Sequence, residues 1–561
     1  MLREKTSDQG RLELVNIEEL VPEEHLLRKI DKYIDFSFIN DICRSYYCLD
    51  NGRPAIEPVI MFKMLFIGYL YGIRSETRLV EEVKVNMAYR WFLGYGITDK
   101  IPDASVIWQN RVRRFNGTDI PRRIFDEILR QAIAHGLVGG KILYSDSTHL
   151  KASANKNRYV EAEVKKESQD YIDDLNKAIN EDRAAHGKKP LKFEDDKPVK
   201  PDEDDDEDYF DDDKGDKHKT GETKTVKQST TDPESGYMHR DGKPLGFFYL
   251  DHRTVDSNYN IITDTYVTPG NVNDVKPYLE RLNYQINKFG FQPSAVGLDA
   301  GYNTSPICKY LHDMGLKAAM GKRRGCHQKG KYGKYKFKHL KEWDVYICPE
   351  RNYLEYVTTN RDGYREYKCK NDRCASCPRR EECLTTKQKT KSLRRHVWED
   401  YKDEAYEFTH SDIGKKIYKR RKETIERSFA ESKELHGQRY CRMRGLSKVE
   451  EQCLLTAAVQ NMKKITAILH RLGASIFEIL LTFLQIPIYT TKPAKSWALS
   501  VVWPIANGLL SSFIFARIMQ IPSAAPRIKT NLTGSGIRFR TCLFRTLPLL
   551  LIENASFCII T

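Results

Sequence analysis

The sequence predicts an α/β fold with a helical N-terminal part, and three features predict it. Up to about residue 135, apolar residues recur at helical spacing; from Lys141 on, short apolar runs alternate with helical stretches. Two of those runs, in "KILYSDSTHLKASANKN" and "SAVGLDAGYN", drive straight into an aspartate. A chain of 561 residues, 40% apolar and 30% charged, has material for two to four domains with a sizeable core. The net charge of +15 points to a polyanionic partner, nucleic acid or a membrane surface, with a merely basic soluble protein as the plain alternative. Thirteen cysteines and a charged N-terminal stretch, "MLREKTSDQG", argue for reduced thiols in a cytoplasm over a secreted disulfide scaffold.

The first 135 residues read as a helical domain. "EPVIMFKMLFIGYLYGI" is a strongly apolar helix after the turn "NGRPA", and the next helix starts at Ser75, a capping serine followed by glutamate. "PDASVIWQNRVRRF" starts another, with Asp103 as its N-cap and Arg111, Arg113 and Arg114 on its later turns, an arrangement that suits DNA docking as well as a solvated bundle face. Residues 136–157 and 228–325 then supply the strands and helices of the α/β layer. "GFFYLDHRTVD" and "IITDTYVT" pair across the turn "SNYN", "VKPYLERLNYQINKFG" is helical, and "KAAMG" is a further strand. Residues 158–227 interrupt this layer. Ten of the twelve residues from Asp202 to Asp213 are acidic, which repels and cannot bury apolar area, so the whole insertion is expected to be a disordered loop. A Cys-rich insertion follows at 326–400, then core helices at 401–470.

An aspartate at the end of a strand serves equally as a turn or N-cap residue. Asp146 and Asp299 nevertheless repeat the same oddity, and ligands gather at strand ends in open α/β sheets. In "YKRRKETIERSFAESKEL", read as one helix, Lys422, Glu426, Phe429 and Lys433 share a face, so Phe429 packing inward would carry Glu426 to the sheet. Phosphoryl transfer on DNA uses two divalent cations about 3.5–4 Å apart, and magnesium takes its few protein ligands mainly from carboxylates. Two aspartates and one helical glutamate meet that need.

With these residues in view, "LYSDSTHLKASANKN", "STTDPESGYM", "VTPGNVND", "GLDAGYNT" and "IERSFAESKELHGQRYCRMRGL…AAVQNMKKI" resemble the DDE transposases of bacterial insertion sequences, in particular their eleven-eighty-two group, related to the insertion-sequence-four and -five families. "GRPAIEPVIMFKMLFIGYLYGIRSETRLVEEV" resembles their N-terminal domain. The resemblance spans residues 10 to 470. It implies an RNase H-like catalytic core, a triad of Asp146, Asp299 and Glu426 holding Mg²⁺ or Mn²⁺, and DNA cleavage followed by strand transfer. It also implies a Tyr-Arg-Glu-Lys signature in Tyr418, Arg421, Glu426 and Lys433, although Arg421 sits one residue too far from the glutamate. Glu423 is the runner-up, without a lysine seven residues on. Tyr418, Arg421, Lys433, Arg444 and the arginines at 111, 113 and 114 would hold DNA. The implied partners are the terminal inverted repeats of its own element and target DNA, bound by a homodimer at the bacterial nucleoid in the cytoplasm. A non-catalytic DNA-binding protein on the same fold and a nuclease without strand transfer are the competing readings.

"YKCKNDRCASCPRREECLTT" places Cys369, Cys374, Cys377 and Cys383 close together, as a structural Zn²⁺ site requires, with Cys348 or the Cys326–His327 pair able to substitute; free thiols are the alternative. From Arg471 to the end, eleven of ninety-one residues are charged, and Ser496 to Ala516 is uncharged and long enough to span a bilayer. Pro504, Asn507 and Gly508 break that stretch, so residues 471–561 are expected to be an apolar tail of unknown role rather than a membrane anchor.

Overall fold

Apolar except for Lys63, the stretch Pro58–Leu70 forms a largely buried helix opened by a proline at its first position. This computed structural model describes residues 15–48, 55–165, 171–193, 223–238, 245–322, 330–386 and 388–489. The chain divides into two compact units, Met1–Ile468 and Leu469–Thr561.

The N-terminal part is helical, as predicted: α1 (Ile17–Leu20), α2 (Leu26–Tyr33), α3 (Phe38–Cys43), α4 (Pro58–Leu70), α5 (Glu76–Val85), α6 (Met87–Phe92), α7 (Ala104–Asn110) and α8 (Ile120–Ala134). Ser75 caps α5 by accepting the Arg78 N–H. Asp103 precedes α7 but makes no capping hydrogen bond, and α7 passes into a π-helical turn at Arg111–Phe115. Behind α8 the left-handed backbone of Gly136, φ 69°, stops the helix.

An eight-stranded sheet follows. Its strands are β1 (Ile142–Lys151), β2 (Tyr159–Lys165), β3 (Thr223–Ser229), β4 (Gly236–Met238), β5 (Gly246–Asp256), β6 (Ile262–Pro269), β7 (Ala295–Leu298) and β8 (Lys317–Met320), in the order β2-β3-β4-β5-β1-β7-β8 with β6 also on β5. β5 pairs antiparallel with β1 and β6 antiparallel with β5, whereas β7 pairs parallel with β1 and β8 parallel with β7. One face packs against α10 (Tyr278–Phe289) and α11 (Ser305–Asp313) through Leu143, Val296, Leu298, Leu282 and Leu311. Leu150, Tyr249 and Val267, on the other face, meet Val449 and Cys453.

The expectation that 158–227 is disordered throughout is corrected. Its flanks form the ladder of β2 and β3, and Ile172–Ala185 is helix α9, whose Leu175 and Ile179 pack against Trp398. The flanks alternate β-branched and polar residues and can pair; the acidic run Asp202–Asp213 itself lies outside the described residues.

The Cys-rich part is a second sheet, β13-β12-β11-β10-β9, formed by β9 (Lys338–Leu340), β10 (Val345–Ile347), β11 (Tyr353–Thr359), β12 (Tyr364–Cys369) and β13 (Ser392–His396), with short helices α12 (Asn371–Ala375) and α13 (Arg380–Cys383). Helices α14 (Glu399–His410), α15 (Asp412–Arg420), α16 (Ile425–Glu434) and α17 (Leu446–Tyr489) complete the described chain. Among the described residues no helix is long and apolar enough to cross a membrane. The stretch from Ser496 to Ala516 lies outside them.

Candidate active site

The predicted end of a strand at Asp146 is corrected: β1 continues to Lys151, paired with β5 throughout. What ends there is the parallel neighbour. β7 follows β1 from Ile142↔Ala295 to Ser145↔Leu298 and stops, and the next pairing on that edge is a bridge from Lys151 to Tyr440. Asp146 and Asp299 are the next residues on each strand, so the register sets them side by side where the ladder opens. Side chains alternate faces with a period of two. Tyr144 and Gly297 are in register two residues earlier, so both aspartates lie on their face, opposite the α10–α11 core.

One guanidinium serves both carboxylates. Arg421, in the 3₁₀ turn Arg421–Glu423, donates from Nη2 to Asp146 Oδ2 at 2.7 Å and from Nη1 to Asp299 Oδ1 at 3.5 Å. Its side chain is 6% exposed, against 20% for Asp146 and 52% for Asp299. Burial, before all else, pushes the Asp146 carboxyl up to about 6; Arg421 and the Ser147 N–H work against this, while Asp299 and Asp274 add to it. Asp274, in "GNVND", is thus a third carboxylate of this neighbourhood that spacing did not single out. Behind the pair, a Cβ on Gly297 would fall 2.4 Å from the Tyr144 ring and 3.6 Å from Arg421 Cγ, so glycine lets the strand, the ring and the guanidinium close together. Tyr418 lies against the Arg421 guanidinium, 5.7 Å from its ring centroid.

The third predicted carboxylate stands apart. The single helix expected from Lys422 to Lys433 is broken by the 3₁₀ turn and by Thr424 (φ −107°, ψ −90°), so only Glu426, Phe429 and Lys433 share a helix. Phe429 is buried, as predicted, whereas Glu426 and the runner-up Glu423 are exposed. Lys433 donates to Thr148 Oγ1 at 2.5 Å, on the same face of β1 as Asp146. Arg253, directly opposite Asp146 on β5, anchors α16: it is fully buried, bonded to Asp251, Gln438, Gln460 and Ser428, and 5.3 Å from the Phe429 ring centroid. The polar triplet Asp251-His252-Arg253, directly after the apolar run Phe247–Leu250 of β5, was its sequence signal.

Magnesium takes its few protein ligands mainly from carboxylates, and in this pair Arg421 meets the carboxylate charge. Among the described residues, no three His, Cys, Asp or Glu side chains stand close enough to enclose a metal ion, and Glu426 is not part of the pair.

The predicted DNA contacts divide in the same way. Arg113 and Arg444 are exposed, the latter with Nε donating to Ser153 O beyond β1. Arg111 is corrected: its guanidinium is turned inward, bound to Glu76 and to Glu451, because its side chain falls between α5 and α17. Arg114 is engaged with Asn110 and the Tyr47 ring.

Residues 15–113 match the family model of a transposase domain (DUF772), and residues 347–466 match that of a transposase DDE domain. No curated protein and no solved structure matches the chain. Two transposase domains in one chain bear out the resemblance to insertion-sequence DDE transposases.

Proposed function

We propose that the chain binds the ends of an insertion sequence and catalyses metal-dependent DNA cleavage and strand transfer, with Asp146, Asp299 and Glu426 as its carboxylates. The observation that carries this reading is the register that puts Asp146 and Asp299 side by side around one cation. The order β6-β5-β1-β7-β8, antiparallel then parallel about a central strand, supports an RNase H-like core. Glu426 is nominated by its place seven residues before Lys433, on the flank of α16 whose lysine touches β1.

Magnesium or manganese held by these carboxylates would supply positive charge to the oxygens of the reacting phosphodiester. The chain's own residues do the rest. Arg421 holds the two aspartates at a common point and opposes the upward push of burial on the Asp146 carboxyl. Lys433, Arg113 and Arg444 bind DNA phosphates, an interaction that weakens with salt. A homodimer would bring two element ends together.

The test measures cleavage, strand transfer and end binding for Asp146→Ala, Asp299→Ala and Glu426→Ala with Mg²⁺ or Mn²⁺. Both reactions should fall by at least 10³-fold while end binding stays within about threefold, because that affinity comes from basic residues elsewhere. Near wild-type cutting by Asp146→Ala would refute the assignment. Wild-type chain that binds ends without cutting would favour the non-catalytic reading, and cutting without joining the nuclease.

A further inference from the structure

The second sheet holds a cluster of thiols that the transposition chemistry does not use. Cys348 lies in the turn between β10 and β11, where its Sγ accepts the Asn352 N–H at 3.3 Å and its own N–H donates to Asn352 O at 2.9 Å. The left-handed backbone of Arg351, φ 60°, folds that turn back onto the sulfur. Cys369 ends β12, paired with Leu354 on β11, and its sulfur is supported by the Lys370 N–H. Cys374 comes from α12 and Cys383 from α13. All four are free thiols and line one small core with Phe337, Tyr346, Leu354 and Tyr367. Cys377 is not in that core, although it is near enough to act on the Cys383 thiol.

Buried thiols in a core are ordinarily small apolar fillers. Three features argue for more here. Two of the sulfurs are met by backbone N–H groups, the kind of hydrogen bond that orients a metal ligand. Cations stand beside the cluster: Lys391 Nζ lies 3.3 Å from Cys383 O, and Arg380 Nη1 lies 3.1 Å from Cys374 O. They would offset the surplus negative charge of four thiolates on one dication. Finally, a small sheet with a small core gains most from a cross-link.

We infer that Cys348, Cys369, Cys374 and Cys383 form a structural zinc site that ties the β10–β11 turn, the end of β12 and the two short helices together. Of the substitutes the sequence offers, Cys348 takes the place of Cys377, because it reaches the cluster from a turn more than twenty residues away. On binding, each S–H bond breaks, the sulfur keeps its electron pair and gives it to zinc, and four protons leave to solvent. Four thiolates leave no open coordination position, so the site holds structure and does no chemistry. Without the ion the sulfurs are not drawn to coordination distance. Burial and the neighbouring Cys374 thiol push Cys369 up to about 12, and burial pushes Cys383 up to about 11, despite Lys391.

The full-length chain, passed over a chelating resin, should retain about one zinc by elemental analysis, and refilling the metal-free chain should release about four protons per zinc. Cys348→Ser and Cys374→Ser should lose at least nine-tenths of the zinc, while Cys377→Ser and the distant Cys308→Ser keep it. Cobalt(II) in place of zinc should give thiolate charge-transfer and tetrahedral bands in wild type and Cys377→Ser, with both altered in Cys348→Ser. If the Cys348 variant does not fold, the wild-type proton count and the Cys377→Ser spectrum still decide. Absence of stoichiometric zinc and cobalt binding, release of two protons or fewer, or loss of metal in Cys377→Ser would overturn the site. None of these readouts depends on transposition.

Discussion

Arg421 Nη2 donates to Asp146 Oδ2 at 2.7 Å across 275 residues of sequence, and the same guanidinium reaches Asp299. The nearly buried cation therefore belongs to the carboxylate pair more than to any surface that meets DNA. Removing it should leave two carboxylates facing each other. Arg421→Met is expected to destabilise the metal-free chain by about 2–3 kcal/mol at pH 7.5, discounted for the half-exposed Asp299. That cost should shrink near pH 4, where Asp146 is protonated, and in the Asp146→Asn background. Denaturant melts of the four chains in a double-mutant cycle would measure this; equal costs at both pH values would refute it.

Asp146 itself should weaken the fold at neutral pH. Its carboxyl is raised from 3.8 to about 6, so folding favours the protonated form. The stability this contributes is complete below pH 4 and is lost as pH rises through 6. Asp146→Asn, which mimics the protonated form, should therefore be more stable than wild type by about 1–2 kcal/mol above pH 6 and equal to it below pH 4, measured in EDTA. Lower stability of the variant at pH 7.5 would contradict this.

Gly297→Ala adds a Cβ at 2.4 Å from the Tyr144 ring. Because the ring is buried and Arg421 lies behind it, the strand has to shift, at about 1–3 kcal/mol. Thermal melts should show this loss, and shortening the ring in Tyr144→Leu should restore part of it; an unchanged melting temperature in Gly297→Ala would count against the close approach.

Replacing Arg253 by methionine should cost about 3–5 kcal/mol, because Asp251, Gln438 and Gln460 lose a buried partner. Hydrogen exchange should accelerate in α16 and in β5 together if Arg253 couples them; acceleration confined to β5 would refute that.

Acid should loosen the junction of the second sheet and α14. Burial would raise the Glu399 carboxyl, but Lys334 and then Arg395 outweigh it and bring it down to about 2 from 4.5. Its contribution, about 2–3 kcal/mol, is present above pH 4.5 and lost as pH falls through 2. Glu399→Gln should therefore be less stable than wild type at pH 6, with the gap closing on acidification; a gap that stays constant down to pH 2 would show that the carboxylate charge is not its source.

The sequence by itself determined what is local. Apolar spacing around Met61–Leu70, the capping Ser75 and the β-branched runs at Ile142 and Ala295 each specify an element, because side-chain periodicity acts within a few residues. Asp146 and Asp299 were legible for the same reason: a charge at the end of an apolar run is anomalous wherever it stands. Tertiary structure decided which charges meet. Arg421 and Arg111, read as DNA contacts, turn inward because carboxylates more than thirty residues away fall opposite them. Arg253 gathers partners from β5, α16 and α17, and Cys348 joins the other thiols only once β10 to β12 pair. Ion pairs and sulfur clusters depend on distance in space, which strand register and helix packing set and local spacing does not encode.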